Sequence, residues 1–179
     1  MLQQLYNTVD SIVVGNFLGS EALAAVGSSS SLIMLLISFS MGAAAGAGVI
    51  VSQFIGAQNK KGIHESVHTA LAIALILGVV LTAAGLILSP QILRWMGTPQ
   101  EVMPQSITYL RLYFAGVIFS ILYNMASGIL NAVGNSKRAL LYLAIASFTN
   151  IILDLLFIPV LKMGIAGAAI ATDISQLLS

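Results

Sequence analysis

Two aspartates of this chain, Asp10 and Asp154, lie inside long apolar stretches. A carboxylate at the centre of a bilayer costs roughly 3 kcal/mol on insertion scales, so it is tolerated only where it faces a bundle interior or a wet cavity. Such groups usually mark ion or substrate pathways. The structural alternative is a carboxylate near a helix end that reaches the membrane interface or bonds a neighbouring helix.

Polar residues share a helix face with each aspartate. Gln3, Asn7 and Asp10 are spaced by four and then three residues, and Asn150 and Asp154 by four. Residues at these spacings lie on one side of a helix. Their oxygens can exchange a proton or bind a sodium ion, and the residue types alone do not choose between the two ions.

A third polar stripe consists of Tyr109, Tyr113, Gly116 and Ser120 at helical spacing. Tyrosines near helix ends often belong to the aromatic belt at the membrane interface. A belt does not explain a stripe that continues for a further two turns. We therefore expect this face to look into the bundle.

Composition places these residues in a membrane, because 58% of the chain is hydrophobic and only 7% is charged. A soluble domain carries about 25% charged residues. A spanning helix needs about 20 apolar residues, and the sequence predicts an all-α, polytopic membrane helix bundle with six such helices. The predicted ranges are 1–18, 30–55, 67–88, 107–130, 139–161 and 167 onward.

Several classes of site are excluded by composition. There are no cysteines and only two histidines, which argues against disulfides, thiol nucleophiles and ordinary zinc sites. The net charge of +1 gives no reason to expect nucleic acid as a partner. Membrane lipid is the expected surrounding, and no cofactor is predicted apart from a coupling ion, H⁺ or Na⁺.

Local motifs predict caps, contacts and orientation. The serine run 28–31 is expected to cap the second helix, and Gly42 with Gly46 to favour close helix contact. A short interfacial helix is expected around 93–96. Paired basic residues at 60–61 and 137–138 predict cytoplasmic loops and hence a cytoplasmic N-terminus in the plasma membrane.

Five ordered segments resemble the multidrug and toxic compound extrusion (MATE) family, especially its bacterial DinF-like branch. They are LQQLYNTVDSIVVGNFLGSEALAAVG, VSQFIGAQNKKG, LRWMGTPQEVMPQSITYLRLYFAG, GILNAVGNSKRALL and NIILDLLFIPVLKMGIAGAAIATDISQ. The resemblance covers essentially the whole chain. It implies two six-helix lobes around a central cavity, and export of organic cations and other drug-like compounds against a proton or sodium gradient.

The resemblance also implies a cation site. Its residues here are Asp10, Asn150, Asp154, Thr172 and, less directly, Tyr109. No further metal site is implied beyond sodium at this position.

Gln3, Asn7 and Tyr113 are expected to line the cavity. Asp173 departs from the family pattern, because it adds a carboxylate beside the threonine. Residues 1–179 are expected to be a partial N-terminal lobe, in which helix 1 lacks its start, helices 2–5 are complete and helix 6 lacks its end. The C-terminal lobe is missing, so transport by this segment alone is not expected.

Other functions fit the residues less well. An intramembrane aspartyl protease would place its second aspartate in a GxGD motif, whereas Asp154 lies in ILDLL. A rhomboid-like serine enzyme needs a buried Ser/His pair, and His64 and His68 lie at the opposite end from the serine run 28–31. A flippase for lipid-linked oligosaccharides, the runner-up, would need several cavity arginines, and only Arg111 is near a helix. The sequence therefore predicts a transporter and not an enzyme.

The predicted orientation can be tested by cysteine labelling, since the chain has no native cysteine. Lys60→Cys is expected to resist a membrane-impermeant maleimide added to intact cells, because the loop lies inside. Glu21→Cys, in an external loop, is the matched positive control. Efficient external labelling at residue 60 would overturn the topology.

Overall fold

The computed structural model describes the backbone of residues 2–179 and the side chains of residues 9–179. Within that range the chain is helical and contains no strand, so the predicted all-α fold class is confirmed. The helices are α1 (Leu2–Leu18), α2 (Ser20–Gly56), α3 (Lys60–Trp95), α4 (Met103–Ala132), α5 (Ser136–Leu155), a π-helical segment (Leu156–Val160) and α6 (Ile165–Leu177).

Four helical spans in the described part of the chain are long and apolar enough to cross a membrane: Ser20–Gly56, Lys60–Trp95, Met103–Ala132 and Ser136–Val160. Large apolar side chains point outward from them. On α3, for example, Ile76, Val80 and Ile87 are 62%, 56% and 73% exposed. In water such a surface would be costly, whereas lipid tails cover it without penalty. The chain is a multi-pass membrane protein.

The second helix begins ten residues earlier than predicted, so the expected serine cap is wrong. Gly19 alone connects α1 to α2, with a φ of 87° that a side chain would disfavour. The hydroxyls of Ser29 and Ser30 donate to the carbonyls four residues earlier, Ala25 and Val26. A serine hydroxyl inside a helix can donate to a carbonyl of its own helix in this way, so the serine run does not mark a helix start.

Pro90 does not end α3, which continues to Trp95 and absorbs the separate interfacial helix predicted at 93–96. Proline has no N–H, so the carbonyl of Leu86 loses its normal donor four residues later. The Nε of Arg111 on α4 donates to this carbonyl at 3.1 Å. A neighbouring helix thus replaces the missing bond, as tolerated prolines in membrane helices require.

Helix α4 is the centre of the bundle and packs against α2, α3, α5 and α6. Its contact with α3 depends on glycines of α3 that lie opposite large side chains of α4. The ring of Phe114 lies over Gly85, and Ile118 lies over Gly78, seven residues earlier on α3. Any Cβ at either glycine would overlap these side chains, so the two helices are held close along two turns.

The predicted contact through Gly42 and Gly46 is wrong, because both residues are exposed and have open space at the Cβ position. The close approach of α2 to α4 is made two residues further along. A Cβ on Gly128 would lie 2.7 Å from the Ala44 carbonyl oxygen, and one on Gly48 would lie 3.1 Å from that of Gly128. Glycine spacing alone did not identify which face of α2 makes the contact.

Helix α5 ends earlier than predicted, at Leu155, and continues as a π-helical turn. Pro159 lies inside that turn and cannot donate to the carbonyl of Leu155. The N–H of Leu161 instead bonds the carbonyl of Leu156, five residues earlier, at 2.9 Å. Such single π turns occur often at functional sites, and this one directly follows Asp154.

We predict that Arg111→Leu lowers the stability of the chain by about 1 kcal/mol, because the Leu86 carbonyl loses its donor. In a Pro90→Ala background residue 90 regains its N–H, so the same change is expected to cost less. Thermal unfolding in detergent across the four-variant cycle measures the coupling. Arg94→Leu, at an exposed arginine of α3, is the control. Equal losses in both backgrounds would contradict this account.

Candidate cation site

Helix α1 packs against α5, and this contact brings the two predicted aspartates together. The side chain of Asp154 is fully buried, and Asp10 is 5% exposed. Both predicted aspartates are therefore buried on adjoining helices, Asp10 on α1 and Asp154 on α5.

A short hydrogen-bond chain fixes the amide beside the aspartates. The Nδ2 of Asn150, one turn before Asp154, donates to the Oγ1 of Thr172 at 3.4 Å. The Thr172 hydroxyl in turn donates to the carbonyl of Ala168 at 3.1 Å. Because the amide nitrogen is committed to α6, the Oδ1 of Asn150 is left as the free acceptor.

Four buried oxygens in this region accept no hydrogen bond from the described residues. They are Oδ1 of Asp10, Oδ1 of Asn150, and both Oδ1 and Oδ2 of Asp154. Most buried polar atoms in proteins have a hydrogen-bond partner, and an exception calls for an explanation such as a functional role or a bound water or ion. A group of oxygens that lacks donors is suited to bind a proton or a small cation.

Tyr109 and Tyr113 are both buried on α4, on the face predicted for them, and each has an interaction partner. Helix α4 meets α5 and α6, which carry Asn150, Asp154 and Thr172. The participation of Tyr109 in the cation site stays a prediction. The side chains of Gln3 and Asn7, the other predicted cavity-lining residues, lie outside the described range.

Asp173 points away from the Asn150–Thr172 bond, toward α4. Its carboxyl group occupies the space that a Cβ on Gly116 would fill. Successive residues of a helix are about 100° apart, so neighbouring residues 172 and 173 face α5 and α4 respectively. Asp173 thus belongs to the α4–α6 contact.

The polar face of α4 continues beyond the stripe predicted from the sequence, which ends at Ser120. Asn124, Ser127 and Asn131 line a groove between α4 and α2. Their spacing of three and then four residues is the signal that indicates a shared face. The same spacing extends the predicted stripe from Ser120 to Asn124.

The sequence matches the model of the MatE family over residues 1–156. The chain belongs to this family. It is 38% identical over 175 residues to "Probable multidrug resistance protein YpnP" of Bacillus subtilis, which covers 98% of the chain and 39% of that protein. "Probable multidrug resistance protein YoeA" of the same species is 37% identical over 185 residues, covering 99% of the chain and 39% of the relative.

A solved structure described as MATE in the bent conformation superposes on the chain with a TM-score of 0.94 and 36% identity. The matched region covers 99% of this chain and 39% of the chain in the solved structure. The chain therefore spans about two fifths of the proteins that it matches. The predicted membership of a multidrug efflux transporter family is confirmed.

These comparisons do not favour the flippase alternative. The flippase would need several cavity arginines, and Arg111 already donates to the Leu86 carbonyl. The family consists of transporters, so the intramembrane aspartyl protease and the rhomboid-like serine enzyme have no support.

We predict that Gly116→Ala weakens the α4–α6 contact by roughly 1–3 kcal/mol, because the new methyl group overlaps the Asp173 carboxyl. Asp173→Ala removes that overlap and is expected to restore stability in the double variant. Thermal unfolding of the four variants in detergent measures this. Gly46→Ala, at an exposed position with open space, is the matched control. If the double variant loses as much stability as Gly116→Ala alone, the added methyl group does not overlap the Asp173 carboxyl.

Proposed function

We propose that this chain acts as the N-terminal lobe of an antiporter that exports organic cations and other drug-like compounds in exchange for H⁺ or Na⁺. Asp10, Asn150 and Asp154 bind the coupling ion, and Thr172 positions the amide of Asn150. The observation that carries this proposal is the group of four buried oxygens without donors on α1 and α5. The family of the chain supplies the context of efflux.

The chemistry of the site accounts for the exchange. Two carboxylates that are close together in a low dielectric repel each other, so binding a proton or a cation between them is favourable. Because α1 and α5 each contribute one carboxyl, an ion bound to both stabilises the arrangement in which these helices meet. An ion shifts a conformational equilibrium only by its difference in affinity for the two states. Oxygens from two separate helices supply such a difference.

The setting of this lobe follows from the same proposal. It lies in the plasma membrane with its N-terminus in the cytoplasm, surrounded by lipid, and works with a second lobe that forms the other wall of the cavity. Its partners are the exported small molecules, with no role for nucleic acid. Apart from the coupling ion it uses no cofactor, and it makes or breaks no covalent bond of the compound it moves.

We predict that Asp10→Asn and Asp154→Asn each remove ion coupling while preserving the shape of the site. Coupling free energies of roughly 1–3 kcal/mol correspond to about 5- to 150-fold in affinity, so a loss of about tenfold in gradient-driven export is expected. The assay uses proteoliposomes in which the chain is joined to the portion of the Bacillus YpnP protein beyond the matched region. Proton and sodium gradients are imposed separately to identify the ion.

Glu21→Gln, at an exposed carboxylate near the start of α2, is the matched control and is expected to export at the parental rate. Equilibrium binding of ²²Na⁺ and proton release by the purified chain give a second readout that needs no transport. If both aspartate variants fold like the parent and keep full proton- or sodium-driven export, the coupling role is wrong.

A further inference from the structure

A groove of about 690 Å³ lies between α2 and α4, away from the Asp10–Asp154 pair. Small-molecule sites in proteins typically have volumes of roughly 300–1,000 Å³, so the groove has room for a drug-sized compound. Its polar lining comes from Ser52 and Gln53 on α2 and from Asn124, Ser127 and Asn131 on α4. We call this space the amide groove.

Backbone contact forms the floor of the amide groove. Gly48 and Gly128 face each other there, and the carbonyl oxygen of Gly128 lies 3.1 Å from the position of a Cβ on Gly48. The two helices therefore touch along their main chains, and the side chains that flank this contact form the walls. Met41 and Val49 supply apolar wall surface beside the amides.

The amide of Asn124 is held in place at the bottom of the groove. Asn124 is 6% exposed, and its Nδ2 donates to the carbonyl of Ser120 at 2.8 Å. Among the described residues nothing donates to its Oδ1, so this oxygen is a fixed acceptor. The amides of Gln53 and Asn131, nearer the helix ends, are exposed and hydrogen-bond to no described side chain or backbone group. They remain available as donors and acceptors.

No lysine, arginine, histidine, aspartate or glutamate lines the amide groove. Attraction by charge is therefore weak here, and recognition depends on amide and hydroxyl hydrogen bonds combined with apolar contact. A ligand without a matching hydrogen-bonding group would leave the buried amide of Asn124 unpaired, so the groove disfavours such a ligand. The chemistry differs from that of the carboxylate site, which suits a cation.

Position gives the groove a role in transport. Gln53 lies three residues before the end of α2, and Asn131 one residue before the end of α4. Both helix ends adjoin the paired basic residues 60–61 and 137–138, at the starts of α3 and α5, which the sequence predicts to be cytoplasmic. Export must begin with capture on that side of the membrane.

We propose that the amide groove is a capture site for uncharged amphipathic compounds that carry amide, carbonyl or hydroxyl groups. This proposal rests on the transport function proposed above and adds a substrate class to it. The compound binds with its polar group against Asn124 and Asn131 and its apolar body along Met41 and Val49. The amide groove then binds the neutral substrate, and the carboxylate site binds the coupling ion.

The test measures equilibrium binding to the purified chain in lipid nanodiscs without any ion gradient. Radiolabelled chloramphenicol is the neutral amide probe, and ethidium, of similar size, is the cationic probe. Asn124→Leu and Asn131→Leu keep the approximate side-chain volume and remove the amide. Each is expected to weaken chloramphenicol binding about tenfold, the size of one lost hydrogen bond, and to leave ethidium binding unchanged.

Two controls separate this result from misfolding and from the proposed ion site. Asn16→Leu, the same change at an exposed position near the end of α1, is expected to leave both probes unaffected. Asp154→Asn is expected to keep chloramphenicol binding, so a failure of the coupling role is distinguishable from a failure of the groove. Asn131 is exposed, so its variant is expected to fold even if the Asn124 variant does not; circular dichroism and gel filtration check both.

Three outcomes would overturn the proposal. The parent chain shows no saturable chloramphenicol binding. The folded Asn131→Leu variant binds chloramphenicol as tightly as the parent. The leucine variants lose both probes equally, which would mean that the groove does not select for uncharged hydrogen-bonding groups.

Discussion

A polar group inside a bilayer has no water to bond with, so it must find its partner within the protein. This constraint explains most of the irregular features of the bundle. The Leu86 carbonyl, freed by Pro90, bonds to Arg111 of the next helix. The serines of α2 bond back to their own helix. The same rule is broken at the oxygens of Asp10, Asn150 and Asp154, which accept no hydrogen bond from the described residues, and the coupling ion proposed above would satisfy them.

The existence and type of the helices followed from the sequence, because apolar runs of spanning length have few alternatives. The burial of Asp10 and Asp154 also followed, since the cost of a carboxylate in a bilayer requires an inward-facing position. Both conclusions depend on large free-energy costs, of apolar surface in water and of a carboxylate in lipid, and few arrangements of the chain avoid them. Family resemblance added Thr172, which spacing alone would not have selected.

Helix boundaries and contact faces did not follow, because they depend on smaller and non-local effects. A serine run is typical of a helix cap, but α2 begins earlier in the chain, after the turn at Gly19. Pro90 looked like a helix end because its compensating donor, Arg111, lies more than twenty residues away in sequence. Gly42 and Gly48 are indistinguishable by residue type, and only the position of α4 decides which of them is buried.

The π turn at Leu156–Val160 has a consequence for comparing relatives of this chain. A π turn holds one more residue than the α-helical turn it replaces. Each residue of an α-helix advances the chain by about 1.5 Å and 100°, so a relative with one residue fewer here would bring α6 in with a different rotation. The bond from Asn150 to Thr172 would then be lost unless residues 161–164 compensated for the change. A single gap at this turn in a sequence alignment is therefore a change in how α5 and α6 meet at Asn150 and Thr172, and not a neutral difference in loop length.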